Sequence, residues 1–195
     1  MIRDISKVLL CDTEHTCYEN GVFPGGEISD IIQIGWCWLS LPSLEISKPQ
    51  HLFVKPTRSR VSEYCIELTG ITPKQVVTAP PLAHVCQTLI NKHGTKARPW
   101  MTWGFDADGL RQECLELGVE TFPFSESYIN AQDMASIILG LPLRMGLDAT
   151  LRLMNMSFEG RHHQAPDDAY NLARIVRQCA LPTESRYDYK RVEVR

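Results

Sequence analysis

The chain has 195 residues, of which 44% are apolar, and its 20 lysines and arginines against 23 aspartates and glutamates give a formal net charge of −3. This length and composition fit one globular domain and exclude a disordered chain, and no apolar run approaches the ~20 residues that cross a bilayer. The slightly acidic balance also excludes a strongly basic chain, so a nucleic-acid-binding role has to be argued from a site.

The N-terminus and the cysteines predict a reducing compartment. The first seven residues, Met-Ile-Arg-Asp-Ile-Ser-Lys, are too charged for a secretory signal, which favours the cytoplasm. The seven cysteines are scattered singly, with no Cys-x-x-Cys pair. We therefore expect neither a disulfide framework nor a structural zinc site.

Three strands are predicted in the first third of the chain. The first is an apolar run that ends at Asp12 and Glu14, and a turn rich in glycine and proline separates it from a run of β-branched and aromatic residues. A short third run precedes Pro56. The predicted strands cover residues 7–11, 31–39 and 51–55.

Helices and one further strand are predicted in the rest of the chain. A strand over residues 98–103 is followed by a helix that begins near Asp106. The other helices are predicted over residues 62–70, 80–90, 131–139, 148–155 and 166–177. We assign residues 1–182 to one domain and residues 183–195 to a polar tail.

Three strands followed by alternating helices and strands predict an α/β fold, with a mixed β-sheet and helices on both of its faces. In such folds the chemistry is found at the ends of strands.

Asp12 and Glu14 are two residues apart, so on a strand both side chains lie on one face. The two anions repel each other, and a hard divalent cation such as Mg2+ or Mn2+ removes that repulsion. Taken without the rest of the sequence, the pair could also be two exposed acids at a solvated strand end, with no metal site.

Three segments together carry a family resemblance: Asp12-Thr-Glu14-His-Thr16, Trp103-Gly-Phe-Asp106, and Gly160-Arg-His-His163-Gln-Ala-Pro-Asp-Asp168-Ala-Tyr-Asn171. They resemble the motifs of the DEDDh 3′→5′ exonucleases, relatives of the proofreading subunits of bacterial replicative DNA polymerases, which have a ribonuclease-H-like fold. With Cys65-Ile-Glu-Leu-Thr-Gly-Ile71 and Phe158-Glu-Gly-Arg161, the chain looks most like the subgroup of histone-mRNA 3′-end and enhanced-RNA-interference exonucleases. The resemblance covers about residues 7–180.

The resemblance implies a catalytic role for five residues. Asp12, Glu14 and Asp168 would hold one metal ion, and Asp106 would reach a second ion that Asp12 shares. Two such ions, Mg2+ or Mn2+, place the attacking water and neutralise the charge that builds up on the phosphoryl oxygens. His163 lies five residues before Asp168, the spacing that the family uses for its general base.

The second motif departs from the subgroup pattern. Only Phe105 separates the Trp-Gly pair from Asp106, where the subgroup usually has two residues, and Asp108 is therefore an alternative ligand. We favour Asp106 because its distance to Cys114 is the expected one, and because a helix that starts there turns Asp108 away by about 200°. A second departure is Gln33, where many relatives carry a glutamate.

Two histidines stand side by side before the last motif aspartate. Adjacent residues of a regular backbone cannot both point into one site, so His163 is predicted in the site, and for His162 a place in a polar loop before the helix is an open alternative. Asp167 is predicted to cap or solvate the start of the last helix.

Four residues are candidates for substrate binding. By the resemblance, Leu68 and Thr69 flank the terminal nucleotide and Thr16 lies beside its sugar. Trp103 can stack on a base. The alternative for each is structural: a helix C-cap, or a side chain of the core.

The resemblance thus implies a metal-dependent exonuclease that removes nucleotides from the 3′ end of single strands and releases nucleoside 5′-monophosphates. RNA is favoured by the subgroup; DNA is the alternative, because nothing in the motifs reads a 2′-hydroxyl. A catalytically idle nucleic-acid-binding module is a further alternative, but it would have no physical need to keep all four acidic residues. The sequence leaves open whether a protein partner or a homodimer contributes to substrate choice.

Overall fold

A five-stranded mixed sheet is the centre of the computed structural model, which describes residues 5–181. The strands are β1 (Lys7–His15), β2 (Ile31–Ser40), β3 (Gln50–Phe53), β4 (Trp100–Thr102) and β5 (Tyr128–Asn130). Their order is β3-β2-β1-β4-β5. The first three strands pair antiparallel, and β4 and β5 extend the sheet in the direction parallel to β1.

Seven α-helices accompany the sheet within the described residues. They are α1 (Glu63–Thr69), α2 (Pro73–Val77), α3 (Leu82–His93), α4 (Asp106–Glu116), α5 (Ala131–Leu139), α6 (Leu147–Leu153) and α7 (Ala165–Ala180). None of these helices has the length and apolar character that a membrane-spanning segment needs. All seven cysteines are free thiols.

The side chains of β1 point alternately to the two faces of the sheet, and the apolar ones on each face are covered by helices. Leu9 and Cys11 point to the face that α3 and α4 cover. Val8 and Leu10 point to the opposite face, which α5, α6 and α7 cover. The predicted α/β fold with helices on both faces is therefore confirmed.

The structure corrects the end of the first strand. β1 does not stop at Cys11, because its antiparallel pairing with β2 continues through Asp12 and Glu14, which lie opposite Gly35 and Gln33. A run of apolar residues shows where a strand is buried, but the backbone hydrogen bonds to the next strand can continue beyond that run. Both carboxylates therefore stand on a paired strand, which holds them more rigidly than a loop.

Two short elements, α2 and β5, were not predicted, since five and three residues are too few to show a periodic pattern. The helix predicted over residues 131–139 has the predicted ends, and the remaining predicted elements are present with shifted ends. The assigned polar tail over residues 183–195 lies outside the described residues.

Four charged residues tie β2 to α4. We call Arg58, Asp30, Glu113 and Glu116 the Arg58 cluster. The guanidinium lies 2.5 Å from Asp30 Oδ1, 3.1 Å from Glu113 Oε2 and 2.5 Å from Glu116 Oε2. Asp30 also accepts hydrogen bonds from the backbone N–H groups of residues 57–59. The cluster fixes the helix whose first residue is Asp106.

Candidate active site

Three carboxyl groups meet on the α7 face of the sheet. Asp12 and Glu14 come from β1, and Asp168 comes from the first turn of α7. Ligand oxygens of the three lie within 4.8 Å of one another. Glu14 and Asp168 are 8% and 6% exposed, so the oxygens converge in a largely buried position.

Two residues of β2 place α7 against the strand that carries these acids. Gly35 lies opposite Asp12, and a Cβ atom at Gly35 would stand 2.1 Å from the carbonyl carbon of Ala165. Gln33 Oε1 accepts the backbone N–H of Ala165 at 3.0 Å. Only glycine allows this approach, which brings Asp168 over β1.

The structure separates the two aspartates of the second motif. α4 begins at Asp106, whose carboxyl group shares a hydrogen bond with that of Asp12. Asp108 is exposed and lies 3.7 Å from Arg111, one turn further along the same helix. The helix rotation therefore turns Asp106 toward the acidic group and Asp108 toward solvent, as the sequence predicts. We call Asp12, Glu14, Asp106 and Asp168 the active-site acids.

Burial raises the pKa of all four active-site acids. It raises the pKa of Asp12 well above its usual range, and the charges of Asp106, Glu14 and Asp168 add to the effect. The pKa of Glu14 rises to about 8 and that of Asp106 to about 7, again with repulsion added to burial. For Asp168 burial gives a pKa of about 6, which His162 and backbone N–H groups hold down.

This donor set fits a hard divalent cation. Carboxylate oxygens are the ligands that Mg2+ and Mn2+ prefer, and a cation offsets both the burial and the repulsion of the anions. Asp12, Glu14 and Asp168 are close enough to share one ion. Asp106 joins the group through its hydrogen bond with Asp12.

The His162 ring lies beside Asp168, and the ring of His163 packs on that of His162. His162 Nε2 is 3.9 Å from Asp168 Oδ1, and the rings of His162 and His163 contact each other edge to face with centroids 4.3 Å apart. The expectation for these histidines assumed a regular backbone, whereas His163 has a left-handed one (φ 62°), and the ring beside Asp168 is that of His162. Burial and the charge of His162 lower the pKa of the half-buried His163.

The hydroxyl groups of Thr16 and Thr69 make hydrogen bonds within the protein. Thr16 is 1% exposed, accepts the N–H of Asp30 at 2.9 Å and shares a hydrogen bond with Ser59. The Thr69 hydroxyl donates to a backbone carbonyl of its own helix and accepts the N–H of Ile71. These contacts match the structural alternatives, and substrate roles for both residues stay predictions.

Leu68 is half-buried in the last turn of α1, and Trp103 is half-buried at the end of β4. Trp103 Nε1 donates to the carbonyl of Met145 at 3.1 Å, and its ring packs on the cluster beneath α5 to α7. Phe105, which sequence reasoning did not single out, is 71% exposed directly before Asp106, with the Arg144 guanidinium 5.5 Å from its ring centre. An exposed aromatic ring directly before Asp106 is the signal that could have drawn attention to Phe105, because aromatic side chains can stack on bases.

Comparisons with known proteins agree with this arrangement. A model of the exonuclease family RNase_T matches residues 9–176. Rat "3'-5' exoribonuclease 1" is 29% identical over 180 residues, which cover 87% of this chain and 51% of that protein. The Drosophila melanogaster "3'-5' exonuclease Snipper" is 26% identical over 206 residues, with coverages of 92% and 73%. The solved nuclease domain of 3'hExo, a DEDDh family member bound to rAMP, superposes with a TM-score of 0.81 at 27% identity, covering 93% of this chain and 98% of that one.

The fold and the match define a ribonuclease-H-like exonuclease domain. The chain belongs to the RNase_T exonuclease family. It spans about half the length of the curated mammalian relatives that it matches.

Proposed function

We propose that the chain is a metal-dependent 3′→5′ exoribonuclease that acts on single-stranded RNA and releases nucleoside 5′-monophosphates. The observation that carries the proposal is the convergence of four buried or half-buried carboxyl groups from β1, α4 and α7, with a histidine five residues before the last of them. Membership of the exonuclease family supports the reaction class.

The active-site acids would hold two divalent ions, Mg2+ or Mn2+. Asp12, Glu14 and Asp168 would hold one of them, and Asp12 and Asp106 the other. When bound, such ions activate the attacking water and neutralise charge on the phosphoryl oxygens. The chain's own contribution is the fixed geometry of the strand and of the two helix N-termini.

His163 would remove the proton from the attacking water as a general base. Because burial lowers the pKa of His163, its imidazole stays neutral and able to accept a proton at neutral pH.

RNA is the substrate that the comparisons favour. The mammalian relatives are named exoribonucleases, and the solved neighbour holds a ribonucleotide. Cleavage of single-stranded DNA, compared with RNA in the experiment below, tests this preference.

The test uses RNA and DNA oligomers of one sequence, single- and double-stranded, labelled at either end, with Mg2+, Mn2+ or a chelator. An Asp12→Ala variant purified in the same way controls for contaminating nucleases. A 5′-labelled RNA should give a descending ladder, and a 3′-labelled RNA should release labelled mononucleotide first. Early cutting of a circular RNA would show an endonuclease, preferred cutting of DNA would reassign the substrate, and no cutting would favour the idle binding module.

A further inference from the structure

The loop that carries His163 lies between the start of α7 and the end of α1. We call residues 159–164 the histidine loop. On the α7 side, the backbone N–H of Arg161 donates to Asp167 Oδ2 at 2.8 Å, and that of Gln164 donates to Asp168 Oδ2 at 3.0 Å. The first turn of α7 therefore fixes the backbone of the loop.

The α1 side is fixed by side chains of the loop. Arg161 Nη2 donates to the carbonyl of Glu67 at 3.0 Å, and the Gln164 side-chain amide donates to the carbonyl of Thr69. The last carbonyls of a helix have no partner within the helix and carry partial negative charge, so a guanidinium fits this position. These two contacts join the histidine loop to α1.

Gly70 leaves the space that the guanidinium occupies. It ends α1 in the left-handed conformation (φ 73°), and a Cβ atom there would stand 2.2 Å from Arg161 Nη1. Gly94 ends α3 in the same conformation (φ 64°), but a Cβ atom there would meet nothing within 4 Å. Both glycines therefore have a left-handed backbone, but only at Gly70 does the missing side chain leave room for a neighbouring arginine, Arg161.

We propose that Arg161 is a positioning residue that holds the histidine loop against α1. It would fix the general base, His163, relative to the helix residues that flank the terminal nucleotide. The inference rests on the proposed function and deepens it. Because Arg161 is exposed and bonds a backbone carbonyl, its contribution to the free energy of unfolding should be small, and its effect should fall on catalysis.

The first test replaces the guanidinium. Arg161→Ala should lower kcat on single-stranded RNA with Mn2+ by about 10- to 100-fold, the scale expected for a displaced catalytic group, while KM and the melting temperature stay close to wild type. Arg161→Lys should recover part of kcat, because its ammonium can still reach the carbonyl of Glu67.

The second test compares the two glycines. Gly70→Ala should lower kcat as Arg161→Ala does. The double variant should lose no more kcat than either single variant, because both changes remove the same contact between Arg161 and α1. Gly94→Ala has the same backbone strain and should lower only the melting temperature.

Hydrogen exchange of the amides of residues 159–164 gives a readout that needs no activity. Exchange should be faster in Arg161→Ala and Gly70→Ala and unchanged in Gly94→Ala. Wild-type kcat or wild-type exchange in Arg161→Ala would overturn the inference, and so would equal effects of the two glycine variants. If the wild-type protein cleaves no oligomer, the proposed function fails, and the exchange comparison still decides whether Arg161 holds the loop.

Discussion

Two groups of carboxylates stand beside the sheet, and they differ in what balances their charge. In the Arg58 cluster, one guanidinium contacts all three carboxylates, and backbone N–H groups bond Asp30. Burial raises the pKa of Glu113 to about 7, but the N–H of Ile31 and the charge of Arg58 oppose the rise. Buried anions that are paired and hydrogen-bonded in this way hold a fold together.

The active-site acids have mostly one another as charged neighbours. For Asp12 and Glu14, each further cause after burial is another carboxyl group and raises the pKa again. Carboxylates that repel one another in this way lower the stability of the metal-free protein, and a bound cation turns their interaction favourable. The comparison teaches that the two groups differ in their partners: Arg58 balances the first, and under the proposed function a bound cation balances the second.

The largest expected effect separates the two groups by activity. Asp12→Ala or Glu14→Ala should reduce cleavage below about a tenth of the wild-type rate even in saturating Mn2+, because each removes a metal ligand. The free energy of unfolding of the metal-free variants should stay the same or rise, since a repelling charge is lost. Cleavage assays and urea unfolding measure the two quantities.

Asp30→Ala is the matched change in the Arg58 cluster. It should lower the free energy of unfolding by about 3–5 kcal/mol, because it leaves Arg58 without its most buried partner, while the folded fraction keeps its turnover. A stable, inactive Asp30→Ala variant would erase the distinction between the two groups.

The second effect concerns the two aspartates of α4. Asp106→Asn should be inactive, because its carboxyl group lies beside Asp12, and Asp108→Asn should be nearly normal, because Asp108 is exposed. Single-turnover cleavage by the two variants measures this difference. The reverse result would show that Asp108 supplies the ligand.

The third effect concerns the two histidines. His163→Ala should lower turnover by about 10²–10⁴-fold, the usual contribution of a positioned general base, and leave Mn2+ binding largely intact. His162→Ala should lower it much less, although the structure brings its ring to 3.9 Å from Asp168. Equal losses in single-turnover cleavage would contradict the assignment of His163 alone.

The fourth effect is a dependence of stability on pH in the metal-free protein. The folded pKa values of Glu14, Asp106 and Asp168 are about 8, 7 and 6, above the ~4 of unfolded carboxyl groups. The folded protein therefore holds protons that the unfolded chain releases, so a rise in pH from about 4 to about 8 should lower the free energy of unfolding.

Melting curves in chelator at several pH values measure this trend, and Mn2+ should remove most of it. Glu14→Gln should flatten the curve at the alkaline end, where the pKa of Glu14 lies. A melting temperature that does not change with pH in chelator would count against the repulsion described here.

Much of this arrangement could be predicted from local pattern. The two-residue spacing of Asp12 and Glu14 predicts a shared face, and the rotation of a helix that starts at Asp106 predicts the exposure of Asp108. Apolar runs were sufficient to find the first four strands and the helices on both faces, because such runs indicate burial.

The rest depends on contacts between distant segments. The approach of Gly35 to Ala165 and the contact of Arg161 with Gly70 join residues far apart in the chain, and no spacing in the sequence reveals them. The left-handed backbone of His163 is also unexpected for a residue other than glycine. The substrate roles of Thr16 and Thr69 stay predictions, because the fold itself uses the hydroxyl groups of both residues.

The most direct test of the central claim is a calorimetric titration of Mn2+ into the wild-type protein and two variants, Glu14→Gln and Glu116→Gln. Each variant removes one negative charge, the first from the active-site acids and the second from the exposed edge of the Arg58 cluster. Wild type and Glu116→Gln should each bind about two ions, and Glu14→Gln should lose at least the tighter one. Equal Mn2+ binding by Glu14→Gln and wild type, or loss of binding in Glu116→Gln, would contradict the account.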